Sequence, residues 1–291
     1  MLNNNLSSCS HIKDLIEPCI NNLETLYEKG ECETGISSGF RKLDHQNYRL
    51  KNSEIIILAG RPSMGKTDFA LNLALNVAYE AHIPVLYFSL ELSKELVVNR
   101  LLAITSRVDR TKFRSAFLND TDWERIKLGS EILENTPIFI DECFYSNIEH
   151  IIEKSIEAKL NNNIGLVIID SFQLISFNRG ITDYTNPVEI TKKLKLLARQ
   201  LDIPIVLLSG ISRKLESRNN KIPIISDLPD YISYIADVIL FLYRRYYYYP
   251  WEEAVKNGAE IFIEKNRNAT FTGSAHLYYD SNTGKFCEYE K

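Results

Sequence analysis

The stretch that most constrains this chain is an apolar run followed by a glycine-bounded loop, Glu54–Thr67, with the sequence EIIILAGRPSMGKT. The loop fits the pattern G-x-x-x-x-G-K-[ST] in full, and apolar residues follow it at helical spacing. When a glycine-bounded loop of this kind joins a strand to a helix, the loop amides and the helix N-terminus can face a phosphate anion. The sequence therefore predicts a nucleotide-binding P-loop. A glycine turn before a structural helix is the alternative.

Each residue type in the loop has a chemical reason to be there. Gly60 and Gly65 allow backbone conformations and a close approach to phosphate that a side chain would block. Lys66 can place its charge on the β and γ oxygens, and the Thr67 hydroxyl can bind the Mg²⁺ that accompanies the nucleotide. The residues predicted to contact the nucleotide are Gly60, Arg61, Pro62, Ser63, Met64, Gly65, Lys66 and Thr67.

Composition excludes several classes of protein. No apolar run approaches the roughly 18 residues that a membrane span needs, and the first residues do not resemble a signal peptide, so we expect a cytoplasmic protein without membrane contact. The five cysteines are scattered without a C-x-x-C pair, which indicates free thiols rather than disulfides or a zinc site. A net charge of −4 argues against a wholly basic nucleic-acid binder but allows a local basic lining.

Apolar strands alternate with helical patterns along most of the chain. This alternation predicts an α/β fold with a mostly parallel sheet covered by helices on both faces. Strands are predicted at 55–59, 84–91, 137–141, 165–170, 203–209, 236–243, 259–264 and 275–279, and helices behind the P-loop and at 94–105, from 120, at 148–160 and at 187–201.

The chain before the P-loop divides into three predicted parts. Residues 1–10 are polar and predicted to be disordered, 11–29 form an amphipathic helix that Pro18 kinks or begins, and 30–39 form a linker. The wide apolar stripe of the helix requires a partner surface, either on its own domain or elsewhere. We therefore divide the chain into residues 1–33, a disordered start with a linker helix, and the domain 34–291.

Three carboxylates are predicted at strand ends. In an open parallel sheet the ligand lies outside the carboxyl ends of the strands. Asp170 is the natural Walker B carboxylate that holds Mg²⁺ with Thr67, although such an aspartate can also cap a turn. Glu91 can polarise the attacking water or cap the next helix, a role that Ser93 could fill instead. Asp141 is a weaker candidate.

Five motifs together resemble one family. These are Gly60–Thr67 (GRPSMGKT), Phe88–Ser93 (FSLELS), Ile168–Leu174 (IIDSFQL), Leu208–Arg213 (LSGISR) and Glu264–Asn268 (EKNRN). They resemble the C-terminal motor domain of DnaB-type replicative DNA helicases, in that family's order and spacing, over residues 12–288. The opening helix resembles the family's linker helix.

The resemblance implies a RecA-like P-loop NTPase that binds ATP and Mg²⁺, a homo-oligomeric ring of six subunits, and hydrolysis at subunit boundaries that drives movement on single-stranded DNA. It also implies that Lys66 contacts the phosphates, that Glu91 is the catalytic base, and that Lys265 and Arg267 reach into the neighbouring site. Without the family, Lys265 and Arg267 would be interpreted as a solvated pair on an edge strand. The resemblance also implies that the opening helix docks on the adjacent subunit.

The basic run 213–221 is the best local candidate for contact with DNA phosphates, which would specify no sequence. Its cations are Arg213, Lys214, Arg218 and Lys221. A solvated loop is the alternative. The aromatic cluster at 246–251 either packs near the adenine or covers the sheet edge.

The chain departs from the family in three ways, and the first two favour a second hypothesis. Gly210 stands where the family usually has a glutamine that senses the γ-phosphate, the segment after Leu228 differs from the family's Arg-Glu-Ser-Gly segment, and we expect no separate N-terminal domain, the family's platform for primase. The second hypothesis is a DnaB-derived nucleotide-binding assembly or regulatory subunit that does not unwind DNA. A helicase loader or primase is a candidate partner in the first hypothesis. A RecA-like ATPase of the recombinase or clock-protein type is a third, less favoured interpretation.

Overall fold

The computed structural model of the chain describes residues 10–28, 34–46, 48–144, 147–176, 186–268 and 272–289. Its strands are β1 Ile55–Gly60, β2 Val85–Ser89, β3 Ile138–Glu142, β4 Leu166–Asp170, β5 Ile205–Gly210, β6 Val238–Tyr243, β7 Gly258–Asn266, β8 Gly273–Asp280 and β9 Lys285–Glu288. Its helices are α1 Ile12–Glu28, α2 Arg41–Asp44, α3 Lys66–Glu80, α4 Lys94–Ser106, α5 Arg110–Ser115, α6 Asp120–Glu134, α7 Ile148–Asn162, α8 Pro187–Leu201, α9 Asp230–Ile235 and α10 Arg245–Tyr248.

The strands form one sheet of nine in the order β3-β2-β4-β5-β1-β6-β7-β8-β9. The first six strands of this order pair in parallel, and β7, β8 and β9 continue the sheet as antiparallel strands. The P-loop strand β1 lies between β5 and β6, so it has a parallel neighbour on each side. The predicted mostly parallel α/β fold is confirmed.

The central strands are apolar at almost every position because both faces of the sheet are covered. Along β1 the side chains alternate between two cores: Ile56 and Leu58 lie in one hydrophobic cluster, and Ile55 and Ile57 lie in the other. Helix α3 is buried along most of its length against the first cluster. This central position fixes the loop after β1 at the carboxyl edge of the parallel strands.

The sequence predicts the long helices and strands correctly but misses the short ones. Helix α8 spans the predicted residues, whereas β2 ends at Ser89 rather than at Glu91. The short elements α2, α5, α9, α10 and β9 were not predicted. Because one or two turns of helix carry little periodicity, their positions depend on tertiary packing.

The chain separates into two compact units, residues 1–35 and 36–291. In the first unit, α1 continues through Pro18 from Ile12, so the proline does not mark the start of the helix. Large apolar side chains of α1 are exposed, among them Leu15, Leu23 and Tyr27. The predicted disordered start covers residues 1–10, and residues 1–9 lie outside the described part of the chain. Within the described ranges, no helix is long and apolar enough to span a membrane.

Candidate active site

The two glycines of the loop after β1 are required for different physical reasons. At Gly65 the backbone has φ +95°, a conformation that side chains other than glycine rarely adopt, and it forms the N-cap of α3. At Gly60 a Cβ atom would lie 2.8 Å from the carbonyl oxygen of Leu242 on β6. The close approach at Gly60 is therefore to the neighbouring strand, whereas the motif predicted an approach to phosphate.

The Lys66 amine points back into the loop. Its Nζ donates to the carbonyl oxygens of Gly60 at 2.9 Å and Arg61 at 3.2 Å. Burial lowers the pKa of Lys66, while the carboxylates of Asp170 and Glu91 act in the opposite direction. An anionic phosphate in the loop would add a third negative group and favour the charged amine.

Thr67 and Asp170 lie together although 103 positions separate them. The Thr67 hydroxyl donates to Asp170 Oδ2 at 2.7 Å, and the buried Tyr87 hydroxyl on β2 donates to the same oxygen at 3.0 Å. Burial raises the pKa of Asp170, and the two hydrogen bonds oppose that shift. Among the described residues no cluster of three or more His, Cys, Asp or Glu could hold a metal ion. An oxygen pair from Thr67 and Asp170 suits Mg²⁺, which takes few protein ligands beside phosphate oxygens.

Glu91 lies two residues beyond β2, exposed at the mouth of the site. The alternative that it caps the following helix is wrong. Ser93 is the N-cap of α4, and its side chain accepts the Leu96 amide. Glu91 is therefore left facing the same space as Lys66 and Asp170.

These groups surround one cavity of about 640 Å³ at the carboxyl edge of the sheet. The lining comprises Pro62, Ser63, Gly65, Lys66, Thr67, Asp68, Glu91, Arg100, Arg110, Asp170, Ser171, Gln173, Gly210 and Tyr279. The cavity therefore combines five of the eight predicted loop residues with two of the three predicted carboxylates, Glu91 and Asp170. Asp141 is not in this lining. It lies on edge strand β3, and its Oδ1 is 3.0 Å from His150 Nε2.

Sequence reasoning missed a group of polar side chains on the far wall of the cavity. The buried Asp68 carboxylate pairs with Arg100 at 3.1 Å and Arg110 at 2.9 Å, and accepts the Tyr279 hydroxyl at 2.7 Å. Burial and the nearby Asp68 raise the pKa of Tyr279 to about 12, which keeps the phenol a neutral donor. No motif in the sequence marks these residues, because four separate elements supply them.

A guanidinium lies over the Tyr279 ring. The Arg244 Cζ atom is 4.5 Å from the ring centroid, and a Cβ at Gly65 would be 3.3 Å from the Tyr279 phenol. Tyr279 is only 3% exposed and also packs on Phe286, with ring centroids 4.4 Å apart, so its ring is covered and the Arg244 guanidinium lies beside the phosphate loop at Ser63. The cluster at 246–251 does not line the cavity; its Tyr248 packs on Tyr243 with ring centroids 6.0 Å apart.

Gly210 lines the cavity with Lys66 and lies at the end of β5. A Cβ there would meet only the Gln173 amide nitrogen, at 3.7 Å, so a side chain has room. The same Gln173 nitrogen donates to Ser209 Oγ at 3.0 Å. The structure thus places an amide beside the position at which the expected glutamine is missing.

The basic run after β5 is only partly free for phosphate. Arg213 and Lys214 are exposed, whereas Arg218 pairs with Asp227 at 2.8 Å and Lys221 Nζ donates to the Glu216 carbonyl at 2.7 Å. Arg61 of the phosphate loop also contacts the residues at the start of this run. Arg61 Nε lies 2.7 Å from Glu216 Oε1, and Arg61 NH1 donates to the Ile211 carbonyl at 3.1 Å.

Lys265 and Arg267 lie at the opposite edge of the sheet from this cavity. Asn266, between them, pairs with Val238 at the start of β6, and Val238 pairs with Ile56 at the start of β1. The length of β1 then separates them from Gly60 by roughly 13 Å, at about 3.3 Å per residue. Neither side chain lines the cavity of its own chain.

Known proteins match this chain in sequence and in fold. Residues 35–288 match the family described as the DnaB-like helicase C terminal domain. The replicative DNA helicase DnaB of Rickettsia prowazekii (strain Madrid E) is 37% identical over 289 residues, which cover 88% of this chain and 59% of the relative. The replicative DNA helicase DnaC of Bacillus subtilis (strain 168) is 35% identical over 99% of this chain and 64% of its own length. The chain therefore spans about three-fifths of these relatives.

Two solved structures share the fold. One of them, described as an ATPase domain, superposes with a TM-score of 0.87 at 31% identity, over 98% of this chain and all of that one. A DnaB-like replicative helicase, described with its interactions with primase, gives a TM-score of 0.84 at 30% identity over 99% of this chain and 69% of its own.

Proposed function

We propose that this chain, which belongs to the DnaB-like helicase C-terminal domain family, binds ATP at the carboxyl edge of its sheet and hydrolyses it to move along single-stranded DNA. The observation that carries the proposal is the meeting of Lys66, Thr67, Glu91 and Asp170 around one cavity. The nucleotide is the substrate, and the motion along DNA is the output.

The residues of the cavity have separate tasks in this reaction. Lys66 and the loop amides hold the phosphates, and Thr67 and Asp170 hold Mg²⁺, which would offset phosphate charge. Glu91 accepts the proton of the attacking water, since it is the exposed carboxylate at the mouth of the site. The Arg244 guanidinium, stacked on the buried Tyr279 ring, offers its plane to the base.

The reaction is completed by a second copy of the chain. Arg267 and Lys265 are too distant to serve their own cavity, so we assign them to the cavity of the neighbour, where a guanidinium offsets charge developing on the transferred phosphoryl group. Head-to-tail contacts of this kind close into a ring, and a hexamer is the ring the family implies. The exposed apolar side chains of α1 dock on the adjacent copy.

DNA passes along the exposed Arg213 and Lys214, with Arg218 and Lys221 released from Asp227 and Glu216 when phosphates compete for them. The Arg61 contacts to Ile211 and Glu216 connect this segment to the nucleotide loop. One similar structure is described with primase, and a primase or a loader is a candidate partner here.

The test is the ATP hydrolysis rate of the purified chain at several protein concentrations, with and without single-stranded DNA. A specific rate that rises with protein concentration and again with DNA supports the motor. A rate that rises with concentration but ignores DNA supports the second candidate function, an assembly subunit that does not unwind DNA, which Gly210 favours. A specific rate that is independent of concentration contradicts hydrolysis between subunits.

A further inference from the structure

The end of β7 is held to its own chain by a row of contacts from Lys265 to Asn268. Lys265 Nζ donates to the Ser233 carbonyl at 2.9 Å, and Asn268 Nδ2 donates to the buried Glu54 carboxylate. Arg267 donates from NH2 to the Tyr234 carbonyl at 2.8 Å and pairs through NH1 with Asp237 Oδ1 at 3.2 Å. The segment is therefore fixed along its length and does not trail from the sheet.

Asp237 is the most firmly held member of this row. Its side chain is 8% exposed, and its Oδ2 accepts the Ile55 amide at 2.8 Å and the Lys195 amine from α8. Its backbone amide donates to the Ile55 carbonyl at 2.9 Å, and its backbone carbonyl accepts the Arg267 amide at 3.0 Å. Because Oδ2 has two partners on the core, the carboxylate cannot turn, and Oδ1 keeps a fixed direction toward Arg267.

Arg267 itself is held on one side and open on the other. Its side chain is 46% exposed although both terminal nitrogens have partners on the same chain. Its positive charge is not cancelled, because Lys195 shares the Asp237 carboxylate and Lys265 lies close enough to feel both groups. A charged guanidinium is thus presented to solvent from a rigid anchor.

We propose that Asp237 is the positioning residue that aims Arg267 at the nucleotide of the neighbouring subunit. This inference rests on the proposed function, in which Arg267 acts between subunits. Ordering a long side chain costs conformational entropy. Because Asp237 holds Arg267 in the folded chain, most of this cost is met during folding and does not recur at each turnover. The carboxylate does not contact the nucleotide in this role.

The experiment compares Asp237→Asn with the wild-type chain under conditions in which the ring assembles. The expected result is a roughly ten- to hundredfold fall in kcat for ATP hydrolysis, with the KM for ATP and nucleotide binding unchanged. Asp44→Asn is the matched control, because Asp44 is also buried and accepts three hydrogen bonds from Ser37 and Ser38, outside the row of contacts at the end of β7. It should lose stability but keep kcat.

Mixed assemblies separate positioning from a folding defect. Asp237→Asn retains an intact P-loop, and Lys66→Ala retains an intact Arg267, so reassembling the two together should restore hydrolysis above the sum of the parts. Mixing Asp237→Asn with Arg267→Ala should restore nothing, since neither chain supplies a well-placed guanidinium. Wild-type kcat for Asp237→Asn, or equal behaviour in the two mixtures, overturns the proposal.

Two further variants keep the outcome decisive. If Asp237→Asn does not fold, Asp237→Glu keeps the charge and displaces it by one methylene, and its kcat should fall less while Lys66→Ala still complements it. Full activity of Arg267→Ala would refute the intersubunit role in the proposed function. An inactive Arg267→Ala beside a fully active Asp237→Asn would refute only the positioning role.

Discussion

The charged side chains at the two edges of the parallel sheet differ in what they face. At the carboxyl edge, Lys66, Glu91 and Asp170 face a cavity of about 640 Å³. At the amino edge, Arg267 and Lys265 are bound to carboxylates and carbonyls of their own chain. Parallel strands gather ligand-binding side chains at one edge, and the antiparallel β7 carries the chain back to the other. After the roles that we propose for them, we call the carboxyl edge with its cavity the acceptor edge, and the amino edge with Lys265 and Arg267 the donor edge.

The largest effect should come from disabling the acceptor edge. Replacing Lys66 with alanine removes the cation that faces the phosphates, so both binding and hydrolysis suffer and the ATPase rate should fall more than about 10³-fold. The check is a steady-state ATPase assay with a parallel nucleotide-binding titration. Thermal unfolding without nucleotide should change little, because Nζ bonds only to two loop carbonyls. Substantial residual hydrolysis would contradict the assignment.

Disabling the donor edge should lower the rate of ATP hydrolysis and leave nucleotide binding unchanged. In Arg267→Ala the neighbour loses a guanidinium that offsets transition-state charge, a contribution of about 10³-fold in comparable enzymes. Nucleotide affinity measured with a fluorescent analogue should remain at the wild-type level. Arg245→Ala is a useful control, since that arginine is also about half exposed and pairs with Glu252 on the same chain. Loss of nucleotide affinity in Arg267→Ala would remove the distinction between the edges.

A smaller change should come from restoring a side chain at Gly210. The site has room for a Cβ, so Gly210→Gln should fold, and its amide would lie beside Gln173 at the cavity wall. We expect DNA stimulation of ATPase activity to rise about fivefold or more, the scale of ordinary coupling between sites. Gly210→Ala tests whether bulk alone is responsible. Unchanged DNA stimulation would show that the segment after β5 receives its signal elsewhere.

The smallest effect concerns pH and stability at the donor edge. Burial raises the pKa of Glu54, Asp237 adds to that shift, and Asn268 and Lys51 oppose it. Folding therefore takes up a proton between the ordinary and the raised pKa, and the free energy of unfolding falls as pH rises through that window. Glu54→Gln should flatten this dependence in urea unfolding measured from about pH 4 to 8. An unaltered slope would contradict the assignment to Glu54.

The acceptor edge could be predicted from sequence far better than its surroundings. The P-loop is a contiguous pattern, and Asp170 follows from the rule for strand ends, so both could be found without a structure. Arg100, Arg110 and Tyr279 could not, because a shared carboxylate, Asp68, brings them together from distant elements. The rule for strand ends also indicates Asp141 as a weaker candidate, but β3 lies at the edge of the sheet and Asp141 does not line the cavity.

The donor edge was found only through family resemblance. The spacing of Lys265 and Arg267 is that of an ordinary exposed strand end, and no periodicity distinguishes it. Their direction depends on the pairing of β7 with β6 and on Asp237, contacts between residues about 30 positions apart. Long-range register of this kind is not encoded in local pattern, so a structure was needed to show that these cations lie away from their own cavity.

The Arg61 contacts make one connection in this chain sensitive to the salt concentration of the solution. The side chain of Arg61 is 15% exposed and that of Glu216 is 40% exposed, and this pair joins the phosphate loop to the turn that begins the basic run. A partly solvated pair weakens with added salt, whereas the backbone ladder of the sheet does not. Added salt would therefore weaken the ion pair that links the nucleotide loop to the basic run, and the bond from Arg61 to the Ile211 carbonyl would carry more of that link.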